Sequence, residues 1–457
     1  MNFFILIGTI MIDFSLLGAV IAGVVLLLVL ILRFKIQAFI ALLLASITVG
    51  VLSGMPPLSI IKTIQEGMGN TLGFVAVVVG LGAIFGAILE NSGGAEALAT
   101  YLLNKFGKKY SSWALMLTGF IVAIPVFFDV AFIILVPMIY ALQRKTGKSL
   151  LLYGIPLLAG LAITHSFIPP TPGPIAVADI INADLGWVIL FGIIVGFPTA
   201  IFCGPLFANY ISKKIHVVAP ELIENNTSNK QLPHVISIMI IIAIPIVLIV
   251  LNTILNSPMI EQGSISQTIL DWIGMIGHPF SALIIANLIA WYLLGVKKGF
   301  TKSQLLDIST KSLGPAGIII LITGAGGVFK QVLVNTGTGT MLANYFADMG
   351  ISIILFGFLS AAIVRILQGS ATVAMITAAG LTAPLLINDI SEPQKALLVI
   401  SIAAGASIMS HVNDSGFWLV GKYLGLNEKQ TFQSWSMMTT ILAITGFSCA
   451  LILSWFV

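Results

Sequence analysis

Asp129, His165, Arg365, His411 and Asp414 are ionisable side chains set within or beside long apolar stretches of this 457-residue chain. A charge inside hydrocarbon is expensive, so each is a candidate for function. Asp129 is the one charge in VAIPVFFDVAFIILVPM. A carboxylate there can bind a proton or orient a hydroxyl-bearing ligand, and it can also do no more than cap the helix that follows. Arg365 is the one arginine of the second half, and Gln368, Ser370 and Thr372 follow it closely. Its planar fork suits a ligand carboxylate, while snorkelling towards the membrane surface is the plainer alternative. His165 lies in THSFIPPTPGP with Thr164, Ser166 and Thr171, and His411 lies in SHVNDSG with Ser410, Asn413, Asp414 and Ser415. A histidine beside each of these runs suits proton coupling, because imidazole titrates near neutral pH. A neutral ring that satisfies freed backbone carbonyls is the alternative. Asp414 is the stronger proton candidate, and Gly173 and Gly416 permit close backbone approach to a ligand.

The elements that must hold these residues are membrane-spanning. The chain is 58% hydrophobic and 8% charged, against about 25% charged in ordinary soluble domains. That composition excludes a soluble globular protein and implies a polytopic one in a lipid bilayer. The net charge of +4 does not indicate nucleic acid, since the basic residues gather in short loops. Cys203 and Cys449 lie in apolar segments, which excludes a disulfide framework or a thiolate metal site. No metal or other cofactor is implied.

Pro169, Pro170, Pro172 and Pro174 prevent a helix from continuing through 164–174. A broken backbone at membrane depth is tolerated only where it is buried in protein or lines a polar cavity, and such discontinuous helices hold substrate and ion in secondary transporters. The run 410–416, about half a chain later, is a second break. Spans of about 20 apolar residues are expected at 14–32, 35–54, 70–89, 149–182, 186–211, 234–253, 270–295, 312–334, 395–421 and 435–456, with overlong stretches at 111–142 and 352–388.

Basic residues set the orientation. Lys105, Lys108 and Lys109 precede 111–142, and Arg144, Lys145 and Lys148 follow it. Both groups stay inside if 111–142 enters and returns as a re-entrant hairpin with its turn near 125–129. Treating 352–388 likewise places all but Lys62, Lys330, Arg365 and Lys395 of the 21 basic residues inside. Both termini are then outside.

An internal repeat points the same way. GLGAIFGAILENSGGAEALATYL, from 80, resembles GAGGVFKQVLVNTGTGTMLANYF, from 324, at an offset of 244 (324 minus 80). The expected architecture is all-α, with two inverted repeats of five spans, each carrying a re-entrant hairpin and a broken helix. Residues 1–212 form the first repeat, 213–233 a cytoplasmic linker and 234–457 the second.

Several motifs together carry a family resemblance: GLAITHSFIPPTPGP, IPVFFDVAFIILVP, GFPTAIFCGPLFANYISKK and HVNDSGFWLVGKYLGL. Through nearly its whole length the chain resembles the gluconate permease (gluconate:proton symporter) family, within the ion-transporter superfamily. The resemblance implies a proton-coupled importer of gluconate or a related sugar acid, with D-serine or another small hydroxy acid as the alternative. It implies an elevator-type, homodimeric protein of the bacterial inner membrane, with protons and a small carboxylate as partners. Thr171 stands where the family commonly has histidine, and Asp129 where it commonly has glutamate, which leaves the substrate open. The Ser-Asn-Thr tip of sodium-coupled relatives is absent, which favours protons. The residues expected at the substrate are Asp129, Thr164, His165, Ser166, Thr171, Gly173, Arg365, Gln368, Ser370, Thr372, Asn413, Asp414 and Ser415. Those expected to move protons are Asp129, Asp414, His165 and His411. An anion channel would need a continuous polar lining, and a membrane enzyme a paired nucleophile and base; the sequence offers neither.

Overall fold

Every regular element among the described residues is helical. The computed structural model describes residues 2–107, 109–220, 232–256, 266–338, 341, 352–386, 390–412 and 414–457, the side chains of 2–14 and 32 excepted. Seven helical stretches within it are long and apolar enough to cross a bilayer, and shorter apolar helices such as Ser15–Ile31 and Ala38–Leu52 accompany them. The chain is a polytopic membrane protein.

Two long helices, Pro57–Asn91 and Lys302–Asn335, pack along each other. They run antiparallel. Asn335 Nδ2 donates to Thr63 Oγ1 at one end (2.9 Å), and Gly80 faces Leu313 towards the other. Small residues let the backbones approach closely: a methyl on Gly67 would lie 2.7 Å from Val328 Cα. Two further glycines of the first long helix meet other elements. A side chain on Gly86 would collide with the carbonyl of Pro125, and one on Gly82 would sit 3.2 Å from that of Pro170. The pair Gly82 and Gly86 therefore meets a turn and a break, not a partner helix.

The first overlong stretch forms Ser111–Val122 and Phe128–Thr146, interrupted around Pro125. Both arms pack on the helix Leu151–Phe167 more than on each other. The second forms Ile353–Gln368 and Ala371–Thr382, which do pack on each other and on Glu392–Ala406. Its turn is only Gly369 and Ser370. Gly369 has φ +91°, a conformation that strains any side-chain-bearing residue, and Ser370 Oγ caps the second arm by accepting from Val373 N.

The prolines break the next helix as expected. It stops at Phe167 and resumes as Pro172–Ile181, with Thr171 extended at the N-cap. The corresponding helix stops at Ala406 and resumes as Ser415–Leu424, with Asp414 as N-cap. Adding 244 to the first-half starts 111, 128, 151 and 172 gives 355, 372, 395 and 416, each within three residues of the second-half starts 353, 371, 392 and 415. One expected span is not continuous. The stretch 270–295 divides at His278–Pro279 into Gln267–Gly277 and Pro279–Ala290, because proline opens the second helix and His278 Nδ1 accepts from Phe280 N (3.3 Å). The linker at 213–233 lies largely outside the described residues, as does the end of the second repeat copy.

Candidate functional site

The two turns and the two broken helices converge on a cavity of about 390 Å³, a size that suits a small molecule. The first turn brings Phe127, Phe128 and Asp129, and the helix Leu151–Phe167 brings Ala162, His165 and Ser166. The second turn brings Arg365 and Gln368 to Thr372. The second break adds Ser407, Asp414, Ser415 and Gly416, and Trp435, Thr439 and Leu442 close the wall. Three helix amino termini (those of Phe128–Thr146, Ala371–Thr382 and Ser415–Leu424) reach this cavity. Each carries unsatisfied N–H groups and a partial positive charge.

Arg365 and Asp414 find each other across the cavity floor. Arg365 is 4% exposed, the Asp414 side chain 15%, and Nη2 lies 2.5 Å from Oδ2. Arg365 Nη1 also donates to the carbonyl of Gly369, so the guanidinium straps the second turn to the second break. Burial on this scale excludes snorkelling. Asp414 Oδ2 further accepts from Ser410 Oγ, and Oδ1 accepts from Gly416 N (3.2 Å).

Asp129 is exposed to the cavity in the first turn of its helix and makes no capping bond; the N-cap is Phe127. No cation is paired with it among the described residues. His165 lines the cavity, and its buried Nδ1 has no hydrogen-bond partner among the described residues. Ser166, Gln368, Ser370, Thr372 and Ser415 complete the expected residues that the structure brings together.

Others are not brought there. Thr164 Oγ1 donates to Phe120 O (2.8 Å) and fastens the broken helix to the first turn's leading arm. Thr171 Oγ1 donates to Ile168 O (2.7 Å), inside the break itself. Gly173 faces Met375 of the second turn's trailing arm. His411 lies off the cavity with its Nε2 2.7 Å from Ile366 O, the carbonyl-satisfying arrangement. Asn413 lies outside the described residues.

Among the described residues there is no metal-ligand cluster. The family model for GntP family permeases matches residues 14–456. The chain belongs to the GntP permease family. These proteins are transporters, not enzymes. Along 94% of its length this permease is 41% identical to the gluconate permease of Pseudomonas aeruginosa, covering 95% of that protein. It is 42% identical to the low-affinity gluconate transporter of Escherichia coli K12, over 93% of this chain and 95% of that one. The Gnt-II system L-idonate transporter of the same organism is 38% identical over 93% of the chain and 96% of its own. Two solved structures share the fold. The Alcanivorax borkumensis YdaH transporter gives a TM-score of 0.61 at 13% identity, covering 88% of this chain and 90% of its own. Neisseria gonorrhoeae MtrF gives 0.62 at 15%, covering 86% and 84%.

Reading the sequence alone missed the aromatic side of the permease's cavity. Phe127, Phe128, Trp435, Thr439 and Leu442 are apolar or mildly polar residues in apolar runs, and nothing in their spacing marks them. One local signal exists for Trp435: it sits on a π-helical turn, Phe432–Ser436, a feature frequent at functional sites, but nothing in the sequence marks that turn.

Proposed function

We propose that this permease imports a sugar acid of the gluconate class together with protons. The observation that carries the substrate is the 41–42% identity, over more than nine-tenths of the chain, to proteins named for gluconate. The cavity supplies a physical account of the coupling. Arg365 already has Asp414 as its counter-charge, so it leaves no cation over. A substrate carboxylate entering beside an ionised Asp129 would put two anions in one confined, partly desolvated site, which is costly. A proton on Asp129 removes that repulsion, so anion and proton favour each other's binding. The substrate carboxylate then rests on the N–H groups of the half-helix termini. Its hydroxyls reach His165, Ser166, Gln368, Ser370, Thr372 and Ser415.

The architecture follows from the same reading. Residues 1–212 and 234–457 are inverted repeats of five spans, joined by a cytoplasmic linker at 213–233, with both termini outside the bacterial inner membrane. The antiparallel course of Pro57–Asn91 and Lys302–Asn335 and the recurring element starts support the inversion. The two turns are re-entrant, and they move with the broken helices as one body, elevator-fashion, within a homodimer.

Uptake of labelled gluconate into proteoliposomes under an inward proton gradient tests this, with idonate and D-serine as competitors. Saturable accumulation that a protonophore abolishes is expected. Flux that does not saturate would mark a channel, and accumulation indifferent to the protonophore would remove proton coupling.

A further inference from the structure

Trp435 touches both sides of the cavity. Its indole Nε1–H donates to Ser410 Oγ (2.6 Å), and its ring lies 5.5 Å from that of Phe128, beside Asp129. Trp435 is 4% exposed and Ser410 fully buried. Once the indole N–H occupies a lone pair on Ser410 Oγ, the hydroxyl proton is directed to Asp414 Oδ2. Ser436, next along the same π-helical turn, donates to the carbonyl of Ser410, and Thr439 Oγ1 accepts from its amide (3.0 Å). The extra residue of a π turn rotates the side chains that follow it, and here three polar groups of one helix fasten the unwound segment before Asp414. Helical satisfaction of Ser410 is lost at the break, and these groups replace it.

We propose that Trp435 is a positioning residue for the transport site: acting through Ser410, it fixes Asp414 and so the substrate-facing terminus of Ser415–Leu424. The proposal rests on the gluconate reading. A rigid terminus binds an anion without reorganising first, so loosening it weakens binding more than it slows the carrier's movement. Trp435→Phe keeps the ring against Phe128 and removes only the donor. Ser410→Ala removes the relay.

The test is a double-mutant cycle on gluconate uptake in proteoliposomes, with KM and Vmax measured separately for wild type, Trp435→Phe, Ser410→Ala and the double variant. Each single change is expected to raise KM about tenfold with Vmax within about twofold, the scale of one lost hydrogen bond in a charged network. Because both act through one chain of bonds, the double variant should also be about tenfold impaired, not a hundredfold. A competent wild type with multiplicative effects, or a loss confined to Vmax, would overturn the proposal alone. A wild type that takes up no gluconate would overturn it together with the functional reading. If Trp435→Phe does not reach the membrane, Ser410→Ala decides: an unchanged KM overturns the role.

Discussion

Arg365 could have held the substrate or been held by the protein, and its partners argue for the second. Its two bonds to Asp414 and Gly369 come from different nitrogens of one fork. Lysine, with a single ammonium, cannot span both. Arg365→Lys is therefore expected to lower the thermal midpoint of the detergent-purified permease by several degrees, while apparent substrate affinity weakens by no more than the about tenfold expected when Asp414 is loosened from its other side. A severe affinity loss at an unchanged midpoint would instead put the guanidinium on the substrate. Asp414→Asn should be worse for folding, since stranding a buried charge costs about 3–5 kcal/mol. Asp129→Asn separates coupling from carriage: gradient-driven accumulation should vanish, while exchange of labelled for unlabelled substrate persists. Accumulation at the wild-type rate would take Asp129 out of the mechanism. The lone acid of an apolar run is conspicuous in a sequence. The Arg365–Asp414 pair is not, because 49 residues separate them and only the meeting of a turn with a break brings them within reach.

At the scale of elements, the cavity depends on how tightly the turns are held to the broken helices. Gly119 and Gly160 face each other where Ser111–Val122 crosses Leu151–Phe167, and a methyl on Gly160 would collide with Met116 O and lie 2.6 Å from Phe120 N. Backbone cannot yield as a flexible side chain does, so Gly160→Ala is expected to destabilise by about 1–3 kcal/mol. Gly69, on the long first helix, has open space at the same position, and Gly69→Ala should leave the midpoint unchanged. Melting both variants in detergent checks this, and equal behaviour would mean the crossing does not hold the site. The positions of the breaks were readable because proline acts locally on its own backbone. The direction in which a break presents its side chains is a tertiary matter. Thr171 and Gly173 sit in the most conspicuous run of the chain yet face inward to packing, whereas Ser415 and Gly416 reach the cavity. The division at His278–Pro279 was obscured for a related reason: hydropathy averaged over a span reports depth, and it is blind to a bend.

For the whole molecule, the inverted repeat makes a demand that no single helix makes. Leu58 and Lys302 correspond at the offset of 244 (302 minus 58), and each stands at the start of one of the two long antiparallel helices. Leu58 is 85% exposed and Lys302 is exposed too, so cysteines at both would be open to a reagent. If the halves are inverted across the bilayer, these equivalent positions lie on opposite sides, Leu58 outside and Lys302 inside. In a background with Cys203 and Cys449 replaced, an impermeant maleimide added to intact cells should label Leu58→Cys at once. Lys302→Cys should label only after the membrane is opened. Positive residues resist transfer to the outer face, and the same reasoning requires Lys105→Cys and Lys145→Cys, which flank the first turn, both to be shielded. Labelling of Leu58→Cys and Lys302→Cys from the same side would defeat the inversion. Outside labelling of Lys145→Cys with Lys105→Cys protected would instead make 111–142 a crossing, and would reverse the orientation of every element between it and the second turn.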